Sequence, residues 1–275
     1  MSFDKSVKTE FSSQLKSFAS TLSDIVSSKN EWSIRGFADV FKNIYPISSD
    51  TKLVSKVLEL HLLPSFLEFA KEIGYTIELP TYQNWYPDLT FTSKQKPSVR
   101  FAVDLKTTYR LDKRPNFCNG FTLGSHGAYF IDRTHTKNIQ YPYDSYGAHF
   151  CFGVIYSRVE KSNESKSSVF SVDELPSIPA TIRDLTFFAE EKWKIASDKP
   201  GSGNTANIGS IKKIPAILEG NGIFAKAGEE LFDDYWINYG KIEVVKDGKR
   251  KKLTSFSEYL SYRGLPPSLN NSDSK

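Results

Sequence analysis

The chain has 275 residues, of which 39% are hydrophobic and 25% are charged, and its net charge is +4. This length allows one large domain with a sizeable core. No apolar run approaches the roughly 20 residues that span a bilayer, and the N-terminal sequence lacks an apolar signal core. We therefore expect neither membrane insertion nor export, but a cytoplasmic protein.

Cysteine and histidine are rare in this chain. Cys118 and Cys151 are the only cysteines, and the four histidines are scattered. So few thiols fit a reduced intracellular chain better than a disulfide scaffold. The same scarcity argues against a thiolate or imidazole metal site. Any metal is therefore expected to have oxygen ligands, which favours Mg²⁺.

Helical patterns dominate the first seventy residues. Residues 6–29 show loose helical periodicity, and Asp50 is placed to cap a second helix over residues 51–72. Pro64 is expected to bend or break that helix. Glu59 lies in an otherwise apolar stretch of it. Periodicity leaves two interpretations of Glu59 open: an exposed helix residue, or a carboxylate that faces a site.

Three strands follow, over residues 75–79, 88–92 and 100–109. The polar residues 93–98 separate the second strand from the third, which predicts a hairpin. Within the third strand, alternate side chains point to the same face of the sheet. This geometry determines which polar groups of the hairpin can act together.

Pro87-Asp88 and Asp104-Leu105-Lys106 carry the chemistry of this hairpin. Alternation places Asp104 and Lys106 on one face, about 6–7 Å apart along the strand, and the hairpin brings Asp88 beside them. Two carboxylates can hold Mg²⁺ against a phosphodiester, and a lysine adds positive charge or helps to deprotonate a water. Taken alone, Asp-x-Lys is a weak signal that more often marks a solvated strand face.

The second half of the chain alternates strand-like and helical runs. A buried strand is predicted over residues 149–159, another strand within residues 187–196, and helices over residues 229–239 and 255–262. Residues 265–275 are expected to be frayed. The chain shows no internal repeat and no clear linker, so its whole length is predicted to form a single domain.

A glycine-rich segment, Gly-Ser-Gly-Asn-Thr-Ala-Asn-Ile-Gly-Ser, occupies residues 201–210. It lacks the Gly-Lys-Ser/Thr end of a phosphate-binding loop and is not a dinucleotide fingerprint. Small residues let the backbone approach a ligand closely, and Asn204, Thr205 and Asn207 offer groups that suit adenine and thymine edges. On composition alone, an ordinary flexible loop is the default interpretation.

The net charge of the chain is concentrated at its C-terminal end. Residues 241–275 contain eight basic and four acidic side chains, so the remainder of the chain is neutral. The run Lys-Asp-Gly-Lys-Arg-Lys-Lys at residues 246–252 is either a phosphate-contacting patch or a solvated loop.

Together these stretches resemble the EcoRV family of type II restriction endonucleases, within the PD-(D/E)xK nuclease superfamily. The nuclease motif alone is shared by many enzymes, whereas the glycine-rich segment combined with Gln83-Asn84 is far more specific. The matching motifs keep the same order and similar spacing from about residue 45 to about residue 240. They are Tyr45-Pro46, Ser49 to Lys52, Gln83-Asn84, Tyr86-Pro87-Asp88, Asp104 to Tyr109, Phe121 to Gly124, Thr136 to Ile139, Gly201 to Thr205, Asn207 to Ile211, and Asp234-Tyr235-Trp236.

The resemblance implies an α/β fold with a restriction-endonuclease-like core, in which helices flank a mixed central β-sheet, and a dimerisation and DNA-binding subdomain. It also implies a homodimer on double-stranded DNA, in which each subunit cuts one strand of a palindromic site. No membrane and no nucleotide cofactor are implied. The implied segments are residues 1–50 and 150–160 for dimerisation, 75–110 for the catalytic hairpin and 200–211 for the recognition loop.

The resemblance also assigns roles to the residues of the hairpin. Asp88 and Asp104, with the backbone carbonyl of Leu105, are implied to ligate Mg²⁺. Lys106 is implied to lie at the attacking water. Glu59 falls where the family has a further acid, which makes it an accessory catalytic carboxylate and metal ligand.

Further residues are implied to contact DNA. Those that read base edges in the major groove are Gly201, Gly203, Asn204 and Thr205. The loop on the minor-groove side carries Gln83 and Asn84. The implied contacts to the DNA backbone are Thr51, Ser55, Thr108, Lys137 and Asn207.

Extended to specificity, the resemblance implies the site GATATC, a blunt cut at its centre with 5′-phosphate ends, and restriction of foreign DNA. Tyr82 and Trp85 stand where the family has polar residues, and Ala206 stands where it has a threonine. We expect these departures to affect the preference for sequences that flank the site and the affinity for DNA, but not the catalytic residues. Two alternatives remain: a structure-specific repair or recombination nuclease on the same core, and a DNA-binding module that has lost catalysis.

Overall fold

The computed structural model describes residues 4–159, 168–201, 204–246 and 249–272, apart from the side chains of residues 204, 205 and 246. The α-helices in these ranges are α1 (Lys5–Val26), α2 (Thr51–Glu72), α3 (Ile214–Leu218), α4 (Glu229–Asn238) and α5 (Phe256–Tyr262). None of the helices described here combines the length and apolarity needed to cross a bilayer.

Sixteen strands lie in the same ranges. In chain order they are β1 (Ser27–Ser28), β2 (Glu31–Trp32), β3 (Gly36–Ala38), β4 (Asn43–Pro46), β5 (Tyr75–Glu78), β6 (Leu89–Ser93), β7 (Arg100–Leu111), β8 (Arg114–Cys118), β9 (Thr122–Ser125), β10 (His149–Arg158), β11 (Phe170–Ser171), β12 (Ile182–Glu191), β13 (Ala196–Gly201), β14 (Asn204–Ser210), β15 (Glu243–Lys246) and β16 (Lys249–Lys252).

An eight-stranded sheet forms the centre of the protein, in the order β1-β2-β12-β10-β7-β6-β5, with β8 also paired to β7. Strands β7 and β10 are parallel, whereas β6 and β12 pair with them in the antiparallel sense. Helices pack on both faces. This mixed sheet between helices confirms the predicted α/β, restriction-endonuclease-like fold class.

Helices α1 and α2 cover one face of the sheet. The buried side chains of α1 recur every three or four residues, so the helix has a single apolar stripe. At the centre of this face Phe11 stacks on Phe101 at 4.1 Å and lies 5.3 Å from Phe91. The opposite face, which carries Asp104 and Lys106, is covered by α3, α4, α5 and the smaller sheet β13-β14-β9.

Helix α2 has the predicted bounds, with Asp50 as its cap: the Asp50 carboxylate accepts hydrogen bonds from the backbone of Lys52 and Leu53. Of the two effects expected at Pro64, a bend or a break, the break does not occur, because the helix continues to residue 72. Pro64 deprives the carbonyl of Leu60 of its helical partner. Leu60 is 59% exposed, so water can satisfy that carbonyl while the buried flanks hold the helix.

Two segments for which composition allowed a loop are hairpins. In the glycine-rich segment β14 pairs with β13 on one side and with β9 on the other. Of the basic run, residue 246 lies in β15 and residues 249–252 form β16, which pairs with β15, while residues 247 and 248 lie outside the described residues. Partners distant in the sequence supply the backbone hydrogen bonds of β14, and composition does not reveal them.

The C-terminal end is anchored as far as the structure describes it, in contrast to the fraying expected from its composition. Asn271 is 5% exposed, and its side-chain amide donates hydrogen bonds to the backbone and side-chain oxygens of Asn221. Its backbone N–H donates to the carbonyl of Ile223 at 3.1 Å. These contacts tie residue 271 to the segment that follows α3.

Candidate active site and DNA interface

Asp88, Asp104 and Lys106 lie together at the edge of the sheet face that α3, α4 and α5 cover. Asp88 directly precedes β6, whose Leu89 pairs with Val103 of β7. The Lys106 Nζ lies 2.5 Å from an Asp104 carboxylate oxygen and 3.9 Å from Asp88 Oδ2. The structure therefore brings together the three groups that strand alternation and the hairpin had placed on one face.

The same three groups shift one another's ionisation. Burial and then the nearby Asp104 carboxylate raise the pKa of Asp88 to about 7, despite the opposing charge of Lys106. Burial opposes the charged form of Lys106, but the attraction of Asp104 and Asp88 outweighs burial and raises its pKa. Two carboxylates in one site that repel each other form an arrangement that a divalent cation relieves.

Glu59 lies on the other side of a cleft of about 220 Å³ that Asp88, Leu105 and Lys106 also line. Its carboxylate pairs with Lys56 of the same helix at 2.7 Å and is 37% exposed. In the part of the chain that the structure describes, no three acidic, histidine or cysteine side chains converge closely enough to hold a metal. Glu59 thus faces the site but stands apart from the pair of aspartates.

The oxygen donors present fit a hard divalent cation. Asp88 and Asp104 contribute carboxylates, and Leu105, which directly follows Asp104, contributes its backbone carbonyl. At present Lys106 Nζ donates to that carbonyl at 3.2 Å, and the Leu105 N–H donates to Asp88 Oδ2 at 2.7 Å. The Lys106 ammonium therefore occupies the acceptors that a metal would use.

A second cleft, of about 380 Å³, opens on the other side of the same carboxylates. Asp88, Asp104 and Lys106 form its floor. Its walls come from the loop before β6, from β9 and from β14, including Gln83, Asn84, Trp85, Thr122, Ser125 and Asn207. Gln83, Asn84, Asn207 and the three hairpin residues predicted from the sequence thus line one cleft, whereas Gly201 lines a separate cleft.

The recognition segment turns between β13 and β14, where Gly201 pairs with Asn204. Gly203 lies outside the described residues, and the side chains of Asn204 and Thr205 are likewise not described. A Cβ at Gly201 would meet Thr122 Cγ2 at 2.5 Å, so only glycine lets β13 approach β9 this closely.

The residues expected at the DNA backbone are dispersed. Thr51 begins α2 and is exposed, as is Lys137, while Ser55 lines the cleft of Glu59. Asn207 lines the larger cleft. Thr108 differs from the rest, because it is 4% exposed and its hydroxyl donates to the backbone carbonyl of Asn119. The Thr108 side chain therefore makes a contact within the fold. The alternation of side chains along β7 could not indicate this contact.

Sequence reasoning missed Lys192, which is 4% exposed behind the catalytic carboxylates. Its Nζ has no hydrogen-bond partner among the described residues and lies 5.2–5.5 Å from the ring centres of Tyr86, Phe130 and Tyr143. Burial lowers the pKa of Lys192 to about 8, although Asp104 favours its charged form. The sequence predicts a strand within residues 187–196, but β12 ends at Glu191, and the run Glu-Glu-Lys-Trp-Lys carries no signal that Lys192 is buried.

Lys192→Met is expected to raise the free energy of unfolding of the metal-free protein by about 1 kcal/mol at pH 7, because a buried charge without an ionic partner is removed. The pKa of Lys192 is lower in the folded protein, about 8 against 10.5. The unfolded chain therefore binds more protons between these values, and wild-type stability rises with pH across that range. The gain from the substitution should accordingly shrink towards pH 10.

Urea denaturation at pH 7 and pH 10 measures this effect. Lys194→Met is the matched control, because Lys194 pairs with Glu191 at 2.9 Å and its loss should lower stability slightly. A loss of stability in Lys192→Met at pH 7 would show that the attraction between the ammonium and the three rings more than offsets the free-energy cost of burying the charge.

The mixed sheet presents two carboxylates and a lysine to a cleft, and β14 contributes to the wall of that cleft. These features define a nuclease of restriction-endonuclease-like fold. A family model described as "Restriction endonuclease EcoRV" matches residues 28–264. The type II restriction enzyme EcoRV of Escherichia coli is 37% identical over 235 residues, which are 85% of this chain and 93% of that enzyme. The chain belongs to the EcoRV family of type II restriction endonucleases, and it is a hydrolase of DNA.

Proposed function

We propose that this endonuclease uses Mg²⁺ to cut both strands of GATATC at its centre, which leaves blunt ends with 5′-phosphates. Its role is to destroy foreign DNA in the bacterial cytoplasm. One observation carries the proposal. Asp88, Asp104 and Lys106 form the floor of the cleft whose walls include Gln83, Asn84 and Asn207. Cleavage and sequence reading can therefore act on one duplex.

In the proposed mechanism Asp88, Asp104 and the Leu105 carbonyl hold Mg²⁺, with Glu59 as an accessory carboxylate across the smaller cleft. The bound metal supplies charge neutralisation at the phosphoryl oxygens and lowers the pKa of a water. Lys106 gives up its bond to Leu105 and donates to the attacking water or to a phosphate oxygen. The charges of Asp104 and Asp88 favour the charged form of Lys106.

For sequence reading, the proposal assigns the base edges of the major groove to Gly201, Gly203, Asn204 and Thr205. Gln83 and Asn84 approach from the minor groove. Both are exposed beside the catalytic cleft, on a loop that leads directly to Asp88. Base contacts made there can position the metal ligands, because the contacts and the ligands belong to the same short segment.

Cutting of both strands requires two active sites, and the proposed homodimer supplies them. Within residues 1–50, the hairpin of β3 and β4 exposes Val40 (90%) and Phe41 (81%) at its tip. Asp39 makes this tip rigid, because its carboxylate accepts hydrogen bonds from the backbone of Phe41 and Asn43. A rigid, exposed apolar tip is suited to an interface between subunits.

The second segment implied for dimerisation, residues 150–160, has a different place in the structure. Most of it is β10, which runs through the middle of the central sheet between β7 and β12. Its residues as far as Tyr156 are buried within one chain. The proposed dimer surface therefore centres on the hairpin of β3 and β4.

Digestion of a plasmid of known sequence, followed by sequencing of the ends, tests the proposal. We expect fragments that end in blunt GAT and ATC termini, with Mg²⁺ required and Ca²⁺ inactive. Cohesive ends, or cuts at another sequence, would contradict the specificity. Cuts only at junctions or lesions would favour a structure-specific nuclease, and binding without cuts would favour an inactive DNA-binding module.

A further inference from the structure

Two aromatic side chains stand at the tip of the loop between β5 and β6. Tyr82 is 58% exposed, and its ring lies 4.7 Å from the ring of Trp85. The backbone N–H of Trp85 donates to the carbonyl of Tyr82 at 3.0 Å, which closes a turn around Gln83 and Asn84. The same tip thus carries two amides and two aromatic rings in tilted contact, with 53° between their planes.

The loop holds its tip firmly at both ends. On one side the backbone N–H of Thr81 donates to the Gln140 side chain at 3.0 Å. On the other side Tyr86 exchanges backbone hydrogen bonds with Asn138 and Gln140, and its buried ring stacks on Tyr129. Because the loop is already held in place, its exposed aromatic pair can contact a partner without a large entropic cost of ordering the loop.

The aromatic surface continues into the catalytic cleft. Trp85 lines the cleft of about 380 Å³ together with Asp88, Asp104 and Lys106. Whatever reaches the carboxylates through this cleft therefore passes Trp85, and Tyr82 extends the aromatic surface outward from it. In an enzyme that hydrolyses DNA, the flat apolar surfaces that enter this cleft are the faces of the bases.

We propose that Tyr82 inserts its ring against a base step of the bound duplex from the minor-groove side, with Trp85 supporting it from behind. This inference rests on the proposed role of the loop in the minor groove. Aromatic wedges of this kind part a base step and favour steps that unstack easily, such as TA. The pair then selects sequences by the ease with which they deform, whereas Gln83 and Asn84 read hydrogen-bonding groups.

Tyr82→Ser tests the proposal in the full-length protein, with a duplex that contains GATATC and with Ca²⁺ in place of Mg²⁺. Loss of one base–aromatic stack should weaken binding about 10-fold in an anisotropy titration. Oxidation by permanganate reports unstacked thymines. We expect the same thymine in each strand of the duplex to react strongly in the wild-type complex and weakly in the complex of the Tyr82→Ser variant.

Two variants separate stacking from other effects. Tyr82→Phe keeps the ring and removes the hydroxyl, so it should retain wild-type binding and thymine reactivity. Leu79→Ser removes a side chain that is 53% exposed near the pair but outside it, and should also have no effect. Because Tyr82 is exposed, the thermal midpoint of the Ser variant should match that of the wild type.

Unchanged binding and an unchanged permanganate pattern in Tyr82→Ser would overturn the proposal. Dissociation of the dimer in that variant, measured by sedimentation, would also overturn it and would assign the pair to a subunit interface. Cleavage of the same duplex by the wild type with Mg²⁺ is scored separately. A wild type that does not cut contradicts the proposed function, while the binding and permanganate results still decide the role of Tyr82.

Discussion

Asp104→Asn is expected to lower the rate of DNA cleavage by about 10³-fold or more, because it removes a charge that stabilises both the metal and the transition state. The substitution keeps the shape of the side chain. It also ends the repulsion that helps to raise the pKa of Asp88 to about 7, so the pKa of Asp88 should fall in the variant. Single-turnover cleavage at saturating enzyme measures the loss.

The fold of this variant should survive. Lys106 loses its contact of 2.5 Å with Asp104 but keeps Asp88 within 3.9 Å, and the relief of repulsion between the carboxylates offsets part of the lost attraction. Addition of Mn²⁺ or Ca²⁺ should raise the thermal midpoint of the wild type and leave that of the variant nearly unchanged.

Glu59→Gln is the matched control for Asp104→Asn. It also removes one carboxylate from the site, but Glu59 is 37% exposed and pairs with Lys56. Its loss should therefore reduce cleavage far less than the loss of Asp104. Full activity in Asp104→Asn would refute the assignment of the catalytic centre. An equal loss of cleavage rate in both variants would instead show that Glu59 is as important for cleavage as Asp104.

Phe41→Lys is expected to raise the dissociation constant of the proposed homodimer by about 100-fold. Central apolar residues of an interface typically contribute 2 kcal/mol or more, and two like charges would be brought together across a two-fold axis. Phe41 is 81% exposed in the single chain, so the substitution should not disturb the monomer. Sedimentation velocity over a range of concentrations measures the shift.

Loss of the dimer should also change the products of digestion. A monomer has one active site, so we expect double-strand cuts in supercoiled plasmid to become rare at low enzyme concentration. Leu67→Lys is the control, because Leu67 is 50% exposed on α2, outside the hairpin of β3 and β4. A stable dimer in Phe41→Lys, or an equal effect in the control, would contradict the proposed interface.

The sequence by itself determined the parts of this enzyme that depend on neighbouring residues. Helix α2 begins and ends where its cap and its apolar positions predict. Asp104 and Lys106 share a face because side chains alternate along a strand, and a short antiparallel hairpin brings Asp88 to them. These relations follow from local backbone geometry, which is why the proximity of these three residues could be predicted without a structure.

Only the tertiary structure decided the features that depend on distant partners. Pro64 is tolerated because flanking residues of α2 are buried and Leu60 faces water. The glycine-rich segment continues as strand β14 because β13 and β9 pair with it on its two sides. Lys192 is buried because three aromatic rings from elsewhere in the chain close over it. Burial and strand pairing arise from the packing of the whole chain, and the identity of a residue does not reveal what will cover it.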